Sequence, residues 1–215
     1  MDRCGWNHEM SGNGIFEASD KLASELQRII DLPLYDDSSR VRVSDVACFL
    51  SLEHWHAARS LLRAGRLPSA VVIHRAQFEA LTRSAWVLFG ASNEQVSKFT
   101  ADLSIESEQA AKNMPQIAQM IKSLESNGPI QLYTALVRFK DNSWKALNSY
   151  AHSGVHPIRR HHEGYPIKLL EDVQRNANGL AVISCMQAVV LAGKGAAVTA
   201  RCTRRGGQIS YVYAA

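Results

Sequence analysis

The chain has 215 residues, of which 46% are hydrophobic and 20% charged, and these fractions are typical of a folded domain and exclude a disordered chain. Its net charge of +4, from 24 basic and 20 acidic residues, is too small to predict a nucleic-acid partner by itself. The four cysteines form no C-x-x-C pair, which argues against a cysteine zinc site.

The start of the sequence shows no basic stretch followed by an apolar run, so no signal peptide is visible. No apolar run approaches the roughly 20 residues that a membrane-spanning helix needs. We therefore expect a cytoplasmic protein that makes no membrane contact.

Helical spacing of apolar residues begins after an aperiodic stretch at residues 1–14. Apolar positions recurring every three or four residues predict helices over about 16–30, 44–64 and 68–89. Gly65 is a typical stop for the second of these helices, and Pro68 suits the first turn of the third.

A polar helix is predicted next, because Ser92 and Gln95 form the pattern of a capping box. Pro115 interrupts this helix, and a short helix continues to about residue 126. Beyond Gly128-Pro129, the spacing predicts two more helices, over about 130–152 and 167–191, with a loop from 153 to 166 between them.

These elements predict an all-α protein, an up-and-down bundle of about six to seven helices with antiparallel neighbours. We divide the chain into an N-terminal segment with one helix at 1–42, a helical bundle core at 43–193 and a basic tail at 194–215. Gly128-Pro129 is not taken as a domain boundary, because neither half alone has enough amphipathic helices to enclose a core.

The segment from Asn148 to Arg160 is the most unusual in the chain, because it concentrates polar, histidine and arginine side chains that could carry out chemistry. Asn148 and His152 are four residues apart on a predicted helix and share one face. A histidine can act as a general acid or base near neutral pH, and Arg159 and Arg160 suit a phosphate group. The alternative is that His152 only caps the helix C-terminus, where a cation is favourable. The sequence leaves both interpretations open.

A second charged group lies on the third helix, where Arg75, Glu79 and Arg83 are spaced four residues apart. One interpretation is a solvated ladder in which each ion pair contributes roughly 0.2–0.5 kcal/mol. The other is an inward-facing stripe, whose charges would pair with the polar end of the helix that carries His152.

Metal and cofactor sites are not predicted. His152 and His156 are four apart, but Gly154 and Pro157 argue against a continuous helix that would bring the two rings together. The sequence has no Gly-rich phosphate loop and no H-E-x-x-H pattern.

Two stretches of the chain resemble the HEPN-like helical proteins of bacteria. The first is Arg75-Ala-Gln-Phe-Glu79 in a long apolar helix, and the second is Leu147-Asn-Ser-Tyr-Ala-His152-Ser-Gly. Gly164-Tyr165-Pro166 and an apolar terminal helix follow the second stretch. The resemblance covers about residues 43–191.

This resemblance implies a compact helical bundle, often a dimer, in a toxin–antitoxin or phage-defence system. Many such proteins are metal-independent endoribonucleases, whose motif is an arginine, a polar residue, three variable residues and a histidine. In this chain Asn148 matches the polar position and His152 the histidine, while Leu147 stands at the arginine position.

The function implied is a metal-independent endoribonuclease without a cofactor, whose partners are RNA, a second copy of the chain and an antitoxin or other defence-system protein. The expected catalytic residues are His152, Asn148, Arg75 and Glu79. The expected substrate-binding residues are Arg83, His156, Arg159 and Arg160. The alternative, which Leu147 favours, is a non-catalytic helical module for dimerisation or partner binding.

Overall fold

The computed structural model describes residues 13–194, which are helical apart from short connections. Nine helices follow one another along this part of the chain: α1 (Asn13–Ile30), α2 (Ser39–Arg63), α3 (Leu67–Phe89), α4 (Asn93–Thr100), α5 (Ile105–Ala111), α6 (Ile117–Asn127), α7 (Ile130–Ala151), α8 (Val155–Glu163) and α9 (Ile167–Leu191). The protein is therefore a bundle of helices, as the sequence predicts.

Three long helices, α2, α3 and α9, form the centre of the bundle and meet through buried serines. The hydroxyl of Ser44 on α2 donates to the carbonyl of Ser84 on α3 at 2.9 Å, and that of Ser51 donates to the carbonyl of Gln77 at 2.9 Å. The hydroxyls of Ser51 and Ser184 on α9 lie 3.0 Å apart. Each of these buried polar groups has a partner, so the small side chains allow close packing without leaving unsatisfied hydroxyls.

Helix α1 is joined to α2 and α9 by a buried polar cluster around Asn178. The Oδ1 atom of Asn178 accepts hydrogen bonds from Ser19 at 2.8 Å, Trp55 at 2.9 Å and Gln174 at 3.0 Å. The Nε of Arg59 donates to the hydroxyl of Ser19 at 2.8 Å. We call these five residues the Asn178 cluster. It places side chains from three helices around one oxygen atom.

Helix α7 packs along α3 on the other side of the bundle. Phe139 lies 4.5 Å from Phe78, measured between ring centroids, and Trp144 lies 6.0 Å from the same ring. Towards its C-terminal end, α7 buries Leu147 and Tyr150 in an apolar cluster at the start of α3. The end of α7 therefore lies beside the N-terminal end of α3.

Two predicted helix starts can be compared directly with the structure. The capping box is confirmed, since the Ser92 hydroxyl accepts from the Gln95 N–H and the Gln95 side chain accepts from the Ser92 N–H. Helix α2, by contrast, begins at Ser39 rather than at residue 44. The hydroxyl of Ser38 accepts from the N–H of Val41, which satisfies one of the free amides at the helix start.

The predicted count of six to seven helices is too low, since nine lie within residues 13–194. The polar helix after Ser92 is two helices, α4 and α5. The expected loop at 153–166 contains α8, in which Pro157 is the third residue. Proline is tolerated in the first turn because the amide there needs no partner within the helix, so Gly154 and Pro157 mark a new helix start.

The predicted loose N-terminus and basic tail lie outside the described residues, apart from residues 13, 14 and 194. Within the described part, no helix combines the length and apolar character needed to cross a membrane.

Candidate functional site

Helix α7 ends in a Schellman motif within the segment that the sequence singles out. The N–H of Ser153 donates to the carbonyl of Tyr150 at 3.3 Å, and the N–H of Gly154 donates to the carbonyl of Ser149 at 2.7 Å. Ser153 occupies the left-handed position with a φ of 50°, whereas Gly65 takes that position at the end of α2 with a φ of 71°. The turn after α7 therefore holds a serine in a conformation that favours glycine.

The hydroxyl of Ser149 joins α7 to α8. It accepts a hydrogen bond from the backbone N–H of His156, in the first turn of α8, at 3.2 Å. A Cβ atom at Gly154 would lie 2.8 Å from this hydroxyl, so the close approach depends on glycine. Ser149 and Gly154 thus fix the corner between the two helices, which is a structural role.

His152 is the C-cap residue of α7 and is exposed. Its backbone N–H donates to the carbonyl of Asn148 at 3.1 Å. Its imidazole forms no hydrogen bond or ion pair with the rest of residues 13–194. This position agrees with the capping interpretation, since a cation at the end of a helix interacts favourably with the free carbonyls. A catalytic role requires a group supplied by another molecule.

One side of α8 is lined by exposed charged residues and histidine. Helical spacing places His156, Arg159, Arg160 and Glu163 together, and we call this side the cation face. Glu163 pairs with both arginines, at 3.0 Å to Arg159 and 3.9 Å to Arg160. Because the single carboxylate is shared between two guanidinium groups, the face keeps an excess of positive charge.

The other side of α8 borders an open cleft of about 610 Å³, which we call the α8 cleft. Its apolar lining is Pro68, Pro157 and Ile158, and its polar and aromatic lining is Ser153, His161, His162 and Tyr165.

Tyr165 and His161 form the aromatic wall of the α8 cleft. The Tyr165 hydroxyl lies 3.3 Å from the Nδ1 atom of His161, within hydrogen-bonding distance, and the ring centroids are 6.2 Å apart in an edge-on arrangement. Burial raises the pKa of Tyr165, so the phenol keeps its proton at neutral pH. Ile158 is 63% exposed on the apolar side of the cleft.

The Arg75–Glu79 pair lies at the contact between α3 and α7. The Nε of Arg75 is 2.8 Å from Oε1 of Glu79, and its guanidinium carbon is 5.0 Å from the ring centroid of Trp144. Both charged side chains are mostly buried, at 22% and 29% exposed. The charged stripe predicted on α3 is therefore an ion pair within that helix, and its guanidinium group packs on the ring of Trp144. Arg83, two turns after Arg75, is partly buried and forms no ion pair among the described residues.

The structure does not join Arg75 to His152 within one chain. Trp144, Asn148 and His152 follow one another at four-residue intervals on one face of α7. A rise of about 1.5 Å per residue places Asn148 about 6 Å, and His152 about 12 Å, along the helix axis from Trp144. The guanidinium of Arg75 is held at Trp144, two turns away from the imidazole.

Leu147, at the position of the motif arginine, is 4% exposed and belongs to an apolar cluster with Leu62, Leu67 and Tyr150. This position faces the interior of the bundle, while Asn148 is partly buried and His152 is exposed. The cation face, by contrast, brings together His156, Arg159 and Arg160.

Neither Trp144 nor any residue that lines the α8 cleft, Tyr165 included, is predicted as a site residue from the sequence. Trp144 lies four residues before Asn148, and this spacing is the signal that could have placed it on the same face. Tyr165 stands in the stretch that supports the resemblance, but its place in a cleft depends on the position of α8. Among residues 13–194, no group of three or more His, Cys, Asp or Glu side chains is arranged to hold a metal ion.

The chain was compared with family models, curated proteins and solved structures, and it matches one family. No curated protein and no solved structure matches the chain. The model of a family of unknown function, DUF6988, matches residues 48–206, which include α3, α7, α8 and α9. The chain therefore belongs to the DUF6988 family of unknown function.

Proposed function

We propose that this protein is a HEPN-like helical module of a bacterial toxin–antitoxin or phage-defence system, and that it binds RNA without cleaving it. The cation face of α8 is the observation that carries the proposal. The defence context rests on the resemblance of two sequence stretches, around Arg75 and around His152, to HEPN-like proteins.

The cation face suits the phosphates of a nucleic acid. Arg159 and Arg160 are exposed, and their ion pairs with Glu163 lie at the surface, where such pairs contribute about 0–1 kcal/mol. A phosphate can replace this carboxylate at little cost, and guanidinium groups bind phosphate oxygens through two parallel hydrogen bonds. In α8 the buried residue is Pro157, so the cations remain accessible to a long ligand.

The arrangement around His152 argues against cleavage by a single chain. A general base needs a neighbouring group to orient it, and the imidazole of His152 has none among the described residues. Arg75 is occupied by Glu79 and Trp144. Leu147, buried in the core, offers no cation at the place where the motif has its arginine.

The test is binding of single-stranded RNA to the double variant Arg159→Gln/Arg160→Gln, compared with the wild type over a range of salt concentrations. The logarithm of the RNA-binding constant falls linearly with the logarithm of the salt concentration. Each lost phosphate contact makes this fall less steep by about 0.7, so the slope of the double variant should be less steep by roughly 1.4. The variant should also bind about tenfold more weakly at low salt.

The matched control removes two other exposed, ion-paired arginines through Arg28→Gln/Arg42→Gln, with the same loss of charge. It should bind RNA nearly as the wild type does. Equal losses in both double variants would mean that net charge, and not the cation face, explains binding. Absence of RNA binding by the wild type would reject the proposal.

A second candidate is a metal-independent endoribonuclease whose site is shared between two copies in a homodimer. It is favoured by the position of Asn148 and His152 on one face of α7, with the imidazole exposed and available to a guanidinium from a second copy. In this scheme His152 transfers protons and Asn148 orients the ribose. Arg75 of the other copy binds the phosphate, and Glu79 of that copy orients the Arg75 guanidinium through their ion pair.

This candidate predicts RNA cleavage that survives a chelator and is lost in both His152→Ala and Arg75→Gln. Mixing the two inactive variants should restore part of the activity, because a mixed dimer contains one intact shared site. Absence of cleavage by the wild type, at concentrations where RNA is bound, would leave the binding module as the function.

A further inference from the structure

The cation face and the α8 cleft are two sides of the same short helix. Successive residues of a helix are turned by about 100°, so Pro157, Ile158, His161 and His162 lie on one side of α8. His156, Arg159, Arg160 and Glu163 occupy the other side. A ligand that contacts Arg159 and Arg160 can therefore reach the α8 cleft by crossing the width of one helix.

The cleft combines an apolar floor with an aromatic wall and a few polar groups. Its volume of about 610 Å³ lies within the range of pockets that hold small molecules. Tyr165 and His161 supply two rings, and Ser153 and His162 supply groups that exchange hydrogen bonds. Such a lining fits a flat heterocycle that is apolar on its faces and polar on its edges.

No residue that lines the cleft is acidic. Glu163, the carboxylate nearest in sequence, lies on the opposite side of α8 and pairs with Arg159 and Arg160. The cleft therefore does not repel a polyanion, and the adjacent cations attract one.

We infer that the α8 cleft holds an unpaired base of single-stranded RNA, whose neighbouring phosphates lie on the cation face. This inference rests on the proposed function, which it sharpens by naming the kind of RNA. Proteins commonly recognise single strands by stacking splayed bases on aromatic side chains and contacting the base edges. Here the base lies against the aromatic wall of Tyr165 and His161, stacked on Tyr165, and His162 and Ser153 exchange hydrogen bonds with its edge.

Two other anions fit the cleft less well. In an RNA duplex the bases are stacked inside the helix, so they do not reach a cleft beside the phosphate contacts. An acidic peptide would pair with Arg159 and Arg160, but its carboxylates would leave the apolar floor at Pro68, Pro157 and Ile158 uncovered.

The test compares two ligands of equal charge, an oligouridylate of about ten nucleotides and an abasic ribose-phosphate strand of the same length. The wild type should bind the oligouridylate about tenfold more tightly, because the abasic strand cannot stack. Tyr165→Leu should abolish this preference, while Tyr165→Phe, which keeps the ring, should retain it.

Ile158→Glu provides a second variant that does not depend on a packed tyrosine, since Ile158 is exposed at the cleft. Its carboxylate should exclude the base and remove the preference, while the helical content stays that of the wild type. A preference that persists in both Tyr165→Leu and Ile158→Glu would overturn the inference.

The outcomes separate this inference from the proposed function. Equal binding of the oligouridylate and the abasic strand by the wild type would overturn the cleft assignment and leave phosphate binding intact. If neither strand binds, the proposed function fails, and NMR of the His161 and His162 ring protons with uridine, which has no phosphate, tests the cleft alone. Shifts of both residues would support a base site, and unchanged spectra would overturn it. A polyglutamate peptide that binds as tightly as the oligouridylate would indicate a protein partner instead.

Discussion

The Asn178 cluster and helix α8 place their polar side chains in opposite surroundings, one buried and the other exposed. In the Asn178 cluster, Ser19, Trp55 and Gln174 all donate to one oxygen, and the cluster is buried. On α8, His156 and His162 are exposed and their side chains form no hydrogen bonds within residues 13–194. Buried polar groups need partners because leaving one unpaired costs about 1–3 kcal/mol.

This difference separates polar residues that the fold requires from those that it does not. The stability of the bundle depends on the Asn178 cluster, in which the Oδ1 atom of Asn178 and the hydroxyl of Ser19 both take part in several buried hydrogen bonds. The fold gains little from the histidines and arginines of α8, since exposed ion pairs contribute little. Their concentration on one short helix is therefore better explained by a ligand.

The largest expected effect on this contrast comes from Asn178→Leu, which keeps the number and branching of the side-chain heavy atoms and removes the shared acceptor. The Ser19 hydroxyl and the Trp55 indole N–H then lose their buried acceptor, while Gln174 keeps its hydrogen bond to Ser19. The free energy of unfolding should therefore fall by about 3 kcal/mol. Arg160→Gln on α8 should change it by less than about 0.5 kcal/mol. Urea unfolding of both variants measures the difference. Similar losses in the two would contradict the contrast.

A smaller effect should follow from His74, a buried imidazole of α3 whose Nε2 atom has no hydrogen-bond partner. Burial lowers its pKa to about 4 from an ordinary value of 6.5. Between these values the unfolded chain binds a proton that the folded chain does not, so stability falls as the pH falls. Lowering the pH from 7 to 5 should cost about 2 kcal/mol through this residue.

The measurement is the free energy of unfolding at pH 7 and pH 5 for the wild type and His74→Leu. The variant should lose most of the pH dependence, whatever its absolute stability, because position 74 no longer titrates. An unchanged pH dependence in His74→Leu would show that this imidazole does not titrate in that interval.

The smallest expected effect concerns the left-handed residues at the ends of α2 and α7. Ser153→Gly should raise the free energy of unfolding by about 0.5 kcal/mol, because glycine relieves the strain but costs entropy in the unfolded chain. Gly65→Ser, the matched change at the end of α2, should lower it by about 1 kcal/mol. Thermal unfolding of the two variants provides the comparison. A loss of stability in Ser153→Gly would mean that the serine side chain stabilises the corner.

The long helices were predictable because their apolar faces repeat over many turns. Helix α9 lies at residues 167–191, where the spacing places it. The sequence does not predict α8, because Gly154 and Pro157 look like helix breakers. The hydrogen bonds from Ile158 to the carbonyl of Gly154 and from His156 to the hydroxyl of Ser149 show that they begin a new helix.

The sites were predictable only where they lie along one helix. The Arg75–Glu79 pair follows from four-residue spacing, and the structure confirms this pairing. Its stacking on Trp144 depends on how α7 crosses α3, which spacing does not contain. The α8 cleft combines Pro68 of α3 with residues of α8 and the connection to α9, so its lining is not visible in any single stretch of sequence.

The Oδ1 atom of Asn178 fixes how α1, α2 and α9 are positioned along one another. If α1 shifted along its neighbours by a single turn, about 5.4 Å, the hydrogen bond from Ser19 to this oxygen would break. The Ser19 hydroxyl would then be buried among apolar groups without a partner. These hydrogen bonds therefore hold α1 in a single position along α2 and α9, and the three helices behave as one rigid unit at this end of the bundle.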